Sequence, residues 1–204
     1  MEIIRKNVGI YGSNTYIFIK DDNAIIIDCG GDADLIYNII QEKGVKVKAI
    51  FLTHGHLDHI TGVPELRILT NAPVYGPELE KDLFFDAEKN LSKTSYSGPV
   101  TIECDYYFNH MDEISIGDFN IKTFHTPGHT EGSFILLINN ELFTGDTLFN
   151  MSVGRTDLYS GDQVKLENSL EFIKNHFDPA TRIYPGHGRE STLKFEIENN
   201  PYLK

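Results

Sequence analysis

Apolar residues fall along this chain in short runs separated by turn residues, and the runs alternate between strand-like and helix-like spacing. Tyr16-Ile17-Phe18-Ile19 and Ala24-Ile25-Ile26-Ile27 flank Asp21-Asp22-Asn23, the pattern of a β-hairpin that ends at Asp28-Cys29-Gly30-Gly31. Leu35, Ile36, Ile39 and Ile40 then recur at helical spacing, with Asp32 or Asp34 ahead as cap and Lys43-Gly44 as the stop. Lys48-Ala49-Ile50-Phe51-Leu52-Thr53 has an unbroken apolar centre, as expected of a strand covered on both faces. A helix over 63–70 follows, with Pro64 in its first turn.

The second half repeats this strand-rich opening. Residues 87–110 are polar, lack periodicity and read as a long loop of the kind that forms lids or binding surfaces. Phe119 to His125 alternates, and Phe134-Ile135-Leu136-Leu137-Ile138 pairs across Asn139-Asn140 with Glu141-Leu142-Phe143-Thr144. Leu166, Leu170, Ile173 and Phe177 share one face of a helix over 162–177 that halts at Asp178-Pro179. Arg182-Ile183-Tyr184 is a last short strand, and at most one further helix, over 191–199, follows. Strands alternating with helices predict an α/β (α+β) layered protein, with 1–204 as one domain.

Composition narrows the function classes. With 18 basic against 30 acidic residues and a net charge of −12, binding to nucleic acid or to an anionic membrane is disfavoured, because phosphate contacts draw on Lys and Arg. No signal-peptide pattern opens the chain and no apolar run reaches the length of a membrane span, so the expectation is a soluble cytoplasmic protein. Cys29 and Cys104 stand alone with no C-x-x-C pair, which predicts reduced, packed thiols. Nothing in the composition points to a particular oligomeric state.

The strongest chemical signal is Thr53-His54-Gly55-His56-Leu57-Asp58-His59, three imidazoles and a carboxylate just past a strand end. Alternate residues of extended chain point the same way, so His54 and His56 can share one cation, while Asp58 and His59 turn away towards a second. Imidazole and carboxylate donors favour zinc, with iron or manganese as alternatives, and argue against calcium or magnesium. Three further turns place a metal-binding residue after a strand: Thr126-Pro127-Gly128-His129-Thr130, Thr144-Gly145-Asp146-Thr147 and Pro185-Gly186-His187-Gly188. Each alone is weak, because a Gly-rich turn with one His is usually a surface turn.

Together, in order and form, these motifs resemble the metallo-β-lactamase fold hydrolases, from Asn14-Thr15-Tyr16 to the Asn200-Pro201-Tyr202-Leu203 tail. Thr144-Gly145-Asp146-Thr147-Leu148-Phe149 followed by Gly154-Arg155-Thr156-Asp157-Leu158 looks most like the single-domain glyoxalase II-like (hydroxyacylglutathione hydrolase-like) proteins. The resemblance implies a four-layer αββα sandwich, two mixed β-sheets flanked by helices, with the site where strand-end loops converge. It implies two divalent metal ions: His54, His56 and His129 on the first, Asp58, His59 and His187 on the second, and Asp146 bridging both. A hydroxide held between them would attack the carbonyl of a small thioester such as a hydroxyacylglutathione, and the expelled thiolate would need little protonation. Asp58 would orient that hydroxide. Alternatives on the same fold are a mononuclear-iron persulfide dioxygenase and a lactone or phosphodiester hydrolase.

Other residues have two readings. Asp28 either caps the turn after its strand or hydrogen-bonds a ligand histidine. Arg155 either pairs with Asp157 or contacts substrate. Two-domain glyoxalase II enzymes bind glutathione partly through a basic C-terminal helical extension, whereas only 17 residues follow His187 here. Lys93, Ser95 and Tyr96 on the long loop, with Arg155 and Lys165, are then the candidates for gripping a substrate carboxylate. His110, His125, His176 and Tyr184 read as structural.

Overall fold

The computed structural model describes residues 1–204, and six strands of the first half form one mixed sheet in sequence order. They are β1 (Glu2–Val8), β2 (Ser13–Lys20), β3 (Asn23–Ile27), β4 (Lys46–Phe51), β5 (Val74–Pro77) and β6 (Tyr106–Phe108). β1 to β3 form an antiparallel meander, whereas β3, β4, β5 and β6 run parallel. Parallel neighbours need crossovers. Those crossovers hold α1 (Ala33–Lys43), α2 (Leu57–Ile60), α3 (Val63–Thr70) and α4 (Lys81–Phe84).

The second sheet contains β7 (Glu113–Ile116), β8 (Phe119–His125), β9 (Phe134–Ile138) and β10 (Glu141–Gly145) as an antiparallel run. A two-stranded ribbon, β11 (Leu148–Phe149) with β12 (Ser152–Val153), stands apart from both sheets. After α5 (Gln163–His176), β13 (Arg182–Pro185) joins β10 in parallel, and β14 (Ser191–Thr192) closes the sheet before α6 (Leu193–Asn199). No helix is long and apolar enough to cross a membrane.

Alternation along the strands creates three separate cores, and these define four layers. Between the sheets lie Tyr16, Phe18, Ile25, Ile27 and Phe51 from one side and Phe119, Phe134, Leu136, Phe143 and Tyr184 from the other. Their neighbours point outward: Ile17, Ile26, Ile50 and Leu52 pack under Ile36, Ile40, Val63 and Leu66 of α1 and α3. On the far side, Ile135, Leu142 and Ile183 pack under Leu166, Leu170 and Ile173 of α5. The result is the αββα sandwich, two mixed β-sheets flanked by helices. Double coverage explains why Ala24-Ile25-Ile26-Ile27 and Ala49-Ile50-Phe51-Leu52 carry no polar alternation.

Local expectations held at several ends and failed at others. Asn139 and Asn140 both adopt positive φ, 48° and 71°, the geometry of a tight two-residue hairpin turn. Asp162 accepts the Lys165 N–H and caps α5. Asp32 occupies the N-cap position of α1, its carbonyl accepting the Ile36 N–H, but its side chain does not cap the helix: Oδ2 accepts the Gly9 N–H at 2.9 Å instead, tying the β1–β2 turn down. Residues 87–110 are not all loop, because Tyr106–Phe108 pairs with β5 as an edge strand; three residues are too few for any periodicity to show. The last helix starts at Leu193, since Ser191 and Thr192 bond to β13 and Thr192 becomes the cap.

Phe143 lies at the centre of the inter-sheet core, edge-on to Tyr16 at 5.3 Å and stacked on Tyr184 at 4.9 Å. Replacing it with alanine removes an aromatic ring from a site only 1% exposed. The expected loss is about 3–5 kcal/mol of unfolding free energy, read as a lower urea midpoint with an unchanged slope.

Candidate metal centre

β3, β4, β8, β10 and β13 all end at the same edge of the sandwich, and the residues just past those ends meet there: Asp28, His54, His56, His129, Asp146 and His187. Asp28 organises the first sheet's share. Its backbone takes a strained left-handed φ of 55°, and its carboxylate accepts the Thr53 N–H at 2.8 Å, the Thr53 hydroxyl at 2.7 Å and His59 Nδ1–H at 2.8 Å. Of its two readings, the hydrogen bond to a neighbouring histidine is the one observed.

These bonds set the tautomers. Thr53 Oγ1 spends its proton on Asp28, so it accepts from His54 Nδ1, 3.1 Å away, and leaves His54 Nε2 bare. His59 donates from Nδ1, which turns its Nε2 towards Asp146. His129 donates from Nδ1 to the Arg155 carbonyl at 2.7 Å, so its Nε2 faces His56 Nδ1 at 2.8 Å with a free lone pair.

Three groups of side chains bring one donor atom each within 4.8 Å of one another: His54, His56 and His129; His54, His59 and Asp146; Asp58, His59 and His187. Asp146 occupies the middle, with Oδ1 3.3 Å from His59 Nε2 and Oδ2 3.5 Å from His129 Nε2 and 3.6 Å from His187 Nε2. Asp58 Oδ2 lies 3.1 Å from His187 Nε2 and 3.8 Å from His59 Nε2. His54 Nε2, His59 Nε2 and Asp146 Oδ1 are buried without a hydrogen-bond partner. Orphaned polar atoms in such number are costly to bury, and a cation among these donors would satisfy them.

The electrostatics divide the histidines. Burial, reinforced by neighbouring imidazoles, holds His54 well below its ordinary value and lowers His56 to about 3. Burial also opposes charge on His59, but the carboxylates of Asp146, Asp58 and Asp28 outweigh it and raise His59 well above the ordinary value. Against its own burial, Asp146 is held low chiefly by the His59 charge, and Asp58 is lowered by His59 and by its bond to His187.

A cavity of about 480 Å³ opens over this cluster, with Tyr11, Leu91, Phe149, Val153, Leu158 and Arg155 on its walls. The substrate-gripping candidates are dispersed. Arg155 lines the cavity and is paired with Asp157 through bonds of 2.6 and 2.8 Å, so both of its readings have a place. Ser95 lines an adjoining hollow, whereas Tyr96 is 95% exposed and Lys93 pairs with Glu88 on the surface. Lys165 is paired with Glu131. Both cysteines are free and buried, and burial pushes both thiols up to about 12, so neither is a nucleophile at neutral pH. Sequence reasoning passed over Tyr11 and Glu80, which carry no motif and are brought here by the chain's path, and it gave Phe149, the end of the Thr144–Phe149 motif, no place on the cavity wall.

Comparison with known proteins agrees with this geometry. A family model described as the metallo-beta-lactamase superfamily matches residues 8–187. The chain belongs to that superfamily. Among superfamily relatives, the probable metallo-hydrolase YqgX of Bacillus subtilis is 36% identical, over 98% of this chain and 96% of its own. The hydroxyacylglutathione hydrolase GloC of Haemophilus influenzae is 34% identical, over 92% and 90%. Among solved structures, the BLEG-1 B3 metallo-beta-lactamase superposes with a TM-score of 0.92 at 33% identity over the full length of both chains. TTHA1623, solved in a di-iron-bound form, gives 0.87 at 28% identity over 98% of this chain and all of its own.

Imidazole NMR of the metal-free protein tests the electrostatics. At pH 7 His59 should be an imidazolium while His54 and His56 are neutral, and His56 should stay neutral until about pH 3. Because the folded value of His56 lies below its unfolded one, its contribution to stability is complete above the unfolded pKa of about 6.5 and is lost as the pH falls towards about 3.

Proposed function

We propose that this superfamily member is a metal-dependent hydrolase that cleaves a small thioester, such as a hydroxyacylglutathione. The supporting observation is the convergence of bare ring nitrogens and the unpartnered Asp146 oxygen beneath one cavity. In this reading His54, His56 and His129 hold one divalent cation, Asp58, His59 and His187 hold a second, and Asp146 lies between both. Zinc suits the imidazole-rich donor set, and iron is the other fit, as in the di-iron form of TTHA1623. Two such cations supply a hydroxide nucleophile at neutral pH and Lewis-acid stabilisation of a developing oxyanion.

The chain's own groups do the rest. Asp58, at the cavity floor, accepts a hydrogen bond from the attacking water and aims it. Leu91, Phe149, Val153 and Leu158 pack against the acyl part and exclude bulk water. Asp28 and the Arg155 carbonyl hold His59 and His129 in the tautomers that leave Nε2 free. A thiolate is a good leaving group and departs without needing a general acid. GloC, which aligns over nearly the whole chain, is named for thioester cleavage, and that supports the substrate class. A cavity of about 480 Å³ and a net charge of −12 suit a small molecule better than a nucleic acid or a membrane. Two reduced thiols fit a cytoplasmic setting.

Metal analysis of protein purified without added metal should find two divalent cations per chain, and S-lactoylglutathione should be hydrolysed with release of thiol. One iron per chain, with oxygen uptake and no thiol release, would replace this reading by the persulfide dioxygenase. Asp146→Ala should deplete both cations and lower turnover by about 100-fold or more; near-normal metal content would remove Asp146 from its place between them.

A further inference from the structure

Glu80 is an acid placed where an acid is costly. It ends the single 3-10 turn Glu78–Glu80 between β5 and α4, is fully buried and forms no salt bridge. Burial pushes its carboxyl up to about 7, against the pull of three hydrogen bonds. Those three bonds come from two different loops. Oε2 accepts the Gly55 N–H at 2.6 Å, and Gly55 sits between His54 and His56 on the loop leaving the first sheet. Oε1 accepts the Thr130 hydroxyl at 2.7 Å and the Gly132 N–H at 2.9 Å, both just after His129 on the loop leaving the second sheet.

One carboxylate therefore grips both histidine loops, one oxygen to each. The grip is close: a Cβ on Gly55 would lie 3.0 Å from Glu80 Oε2 and 2.6 Å from Leu83 Cβ, and a Cβ on Gly132 would lie 2.6 Å from Glu80 Oε1. Beyond the grip, His56 Nδ1 and His129 Nε2 stand 2.8 Å apart, although their loops belong to different sheets. No other carboxylate accepts hydrogen bonds from both loops.

We propose that Glu80 is a positioning residue that clamps the His54–His56 loop to the His129 loop and so sets the spacing of the three-histidine cation site. This rests on the metal reading above, and it assigns Glu80 to one of the two cations only. Asp58, His59 and His187 take no bond from Glu80: His59 is held through Asp28 and Asp146, and His187 through Asp58 and Asp146. A purely structural acid would lower stability without favouring either site.

Glu80→Gln keeps the size of the side chain but turns one oxygen into an N–H donor. With the amide oxygen left to Thr130 and Gly132, the new donor faces the Gly55 N–H and that bond is lost. Zinc titration of metal-free protein, with cadmium NMR to separate the three-histidine site from the one with two histidines and Asp58, reads the two sites independently. The expected result is affinity about 10- to 100-fold weaker at the three-histidine site and unchanged at the other. Equal weakening at both sites, or at neither, overturns the proposal. Wild-type protein that binds no cation would instead overturn the metal reading, and this inference with it. Should Glu80→Gln fail to fold, judged by circular dichroism, Thr130→Val removes a single bond of the same clamp; the three-histidine site must then weaken selectively, and unchanged affinity there overturns the clamp.

Discussion

Tyr16 packs edge-on against Phe143 and Tyr184, and its hydroxyl crosses from the first sheet to donate to the Pro185 carbonyl at 2.8 Å. That contact between sheets is the constraint on which the site depends. His54, His56, Asp58 and His59 come from one sheet's loops, whereas His129, Asp146 and His187 come from the other's, so every distance between the two sets is a distance between sheets. Asn14 adds bonds to the carbonyls of Pro185 and Gly188, on either side of His187. A close-packed aromatic layer deforms little, so it can hold donor atoms a few ångströms apart where loops alone would drift.

On that frame, a second set of interactions decides which ring nitrogen each histidine offers. Asp28, Thr53 and the Arg155 carbonyl each occupy one nitrogen and turn the other towards the cluster. The uneven electrostatics follow from the same arrangement. His54 and His56 are buried, with other imidazoles beside them, and resist protonation, while His59 faces three carboxylates that outweigh its burial and attract it. Strain at Asp28 and burial of Glu80 are the local costs of this order, and both residues act by holding others.

Much of this was legible beforehand because it is local. The motif His54-Gly55-His56-Leu57-Asp58-His59 combines scarce residue types at a spacing that strand geometry alone converts into shared direction. The buried strands, the Asn139-Asn140 turn and the Asp162 cap have equally local causes. Elements without a pattern of their own were hidden: β6 exists because β5 offers it an edge, and the Asp32 side chain serves the Gly9 turn although the residue stands at the N-cap of α1. Lys93 and Tyr96 had suitable chemistry for a carboxylate, but their loop carries them away from the cavity.

The sequence by itself determined which residues can bind a cation and that the strand ends would present them, since both depend on residue type and short-range periodicity. Only the tertiary structure decided that Asp146 stands between His59, His129 and His187, that Arg155 faces the cavity already paired, and that Glu80 joins two loops. Each of these is a contact between segments tens of residues apart, set by how two sheets pack. No pattern along the chain encodes that separation.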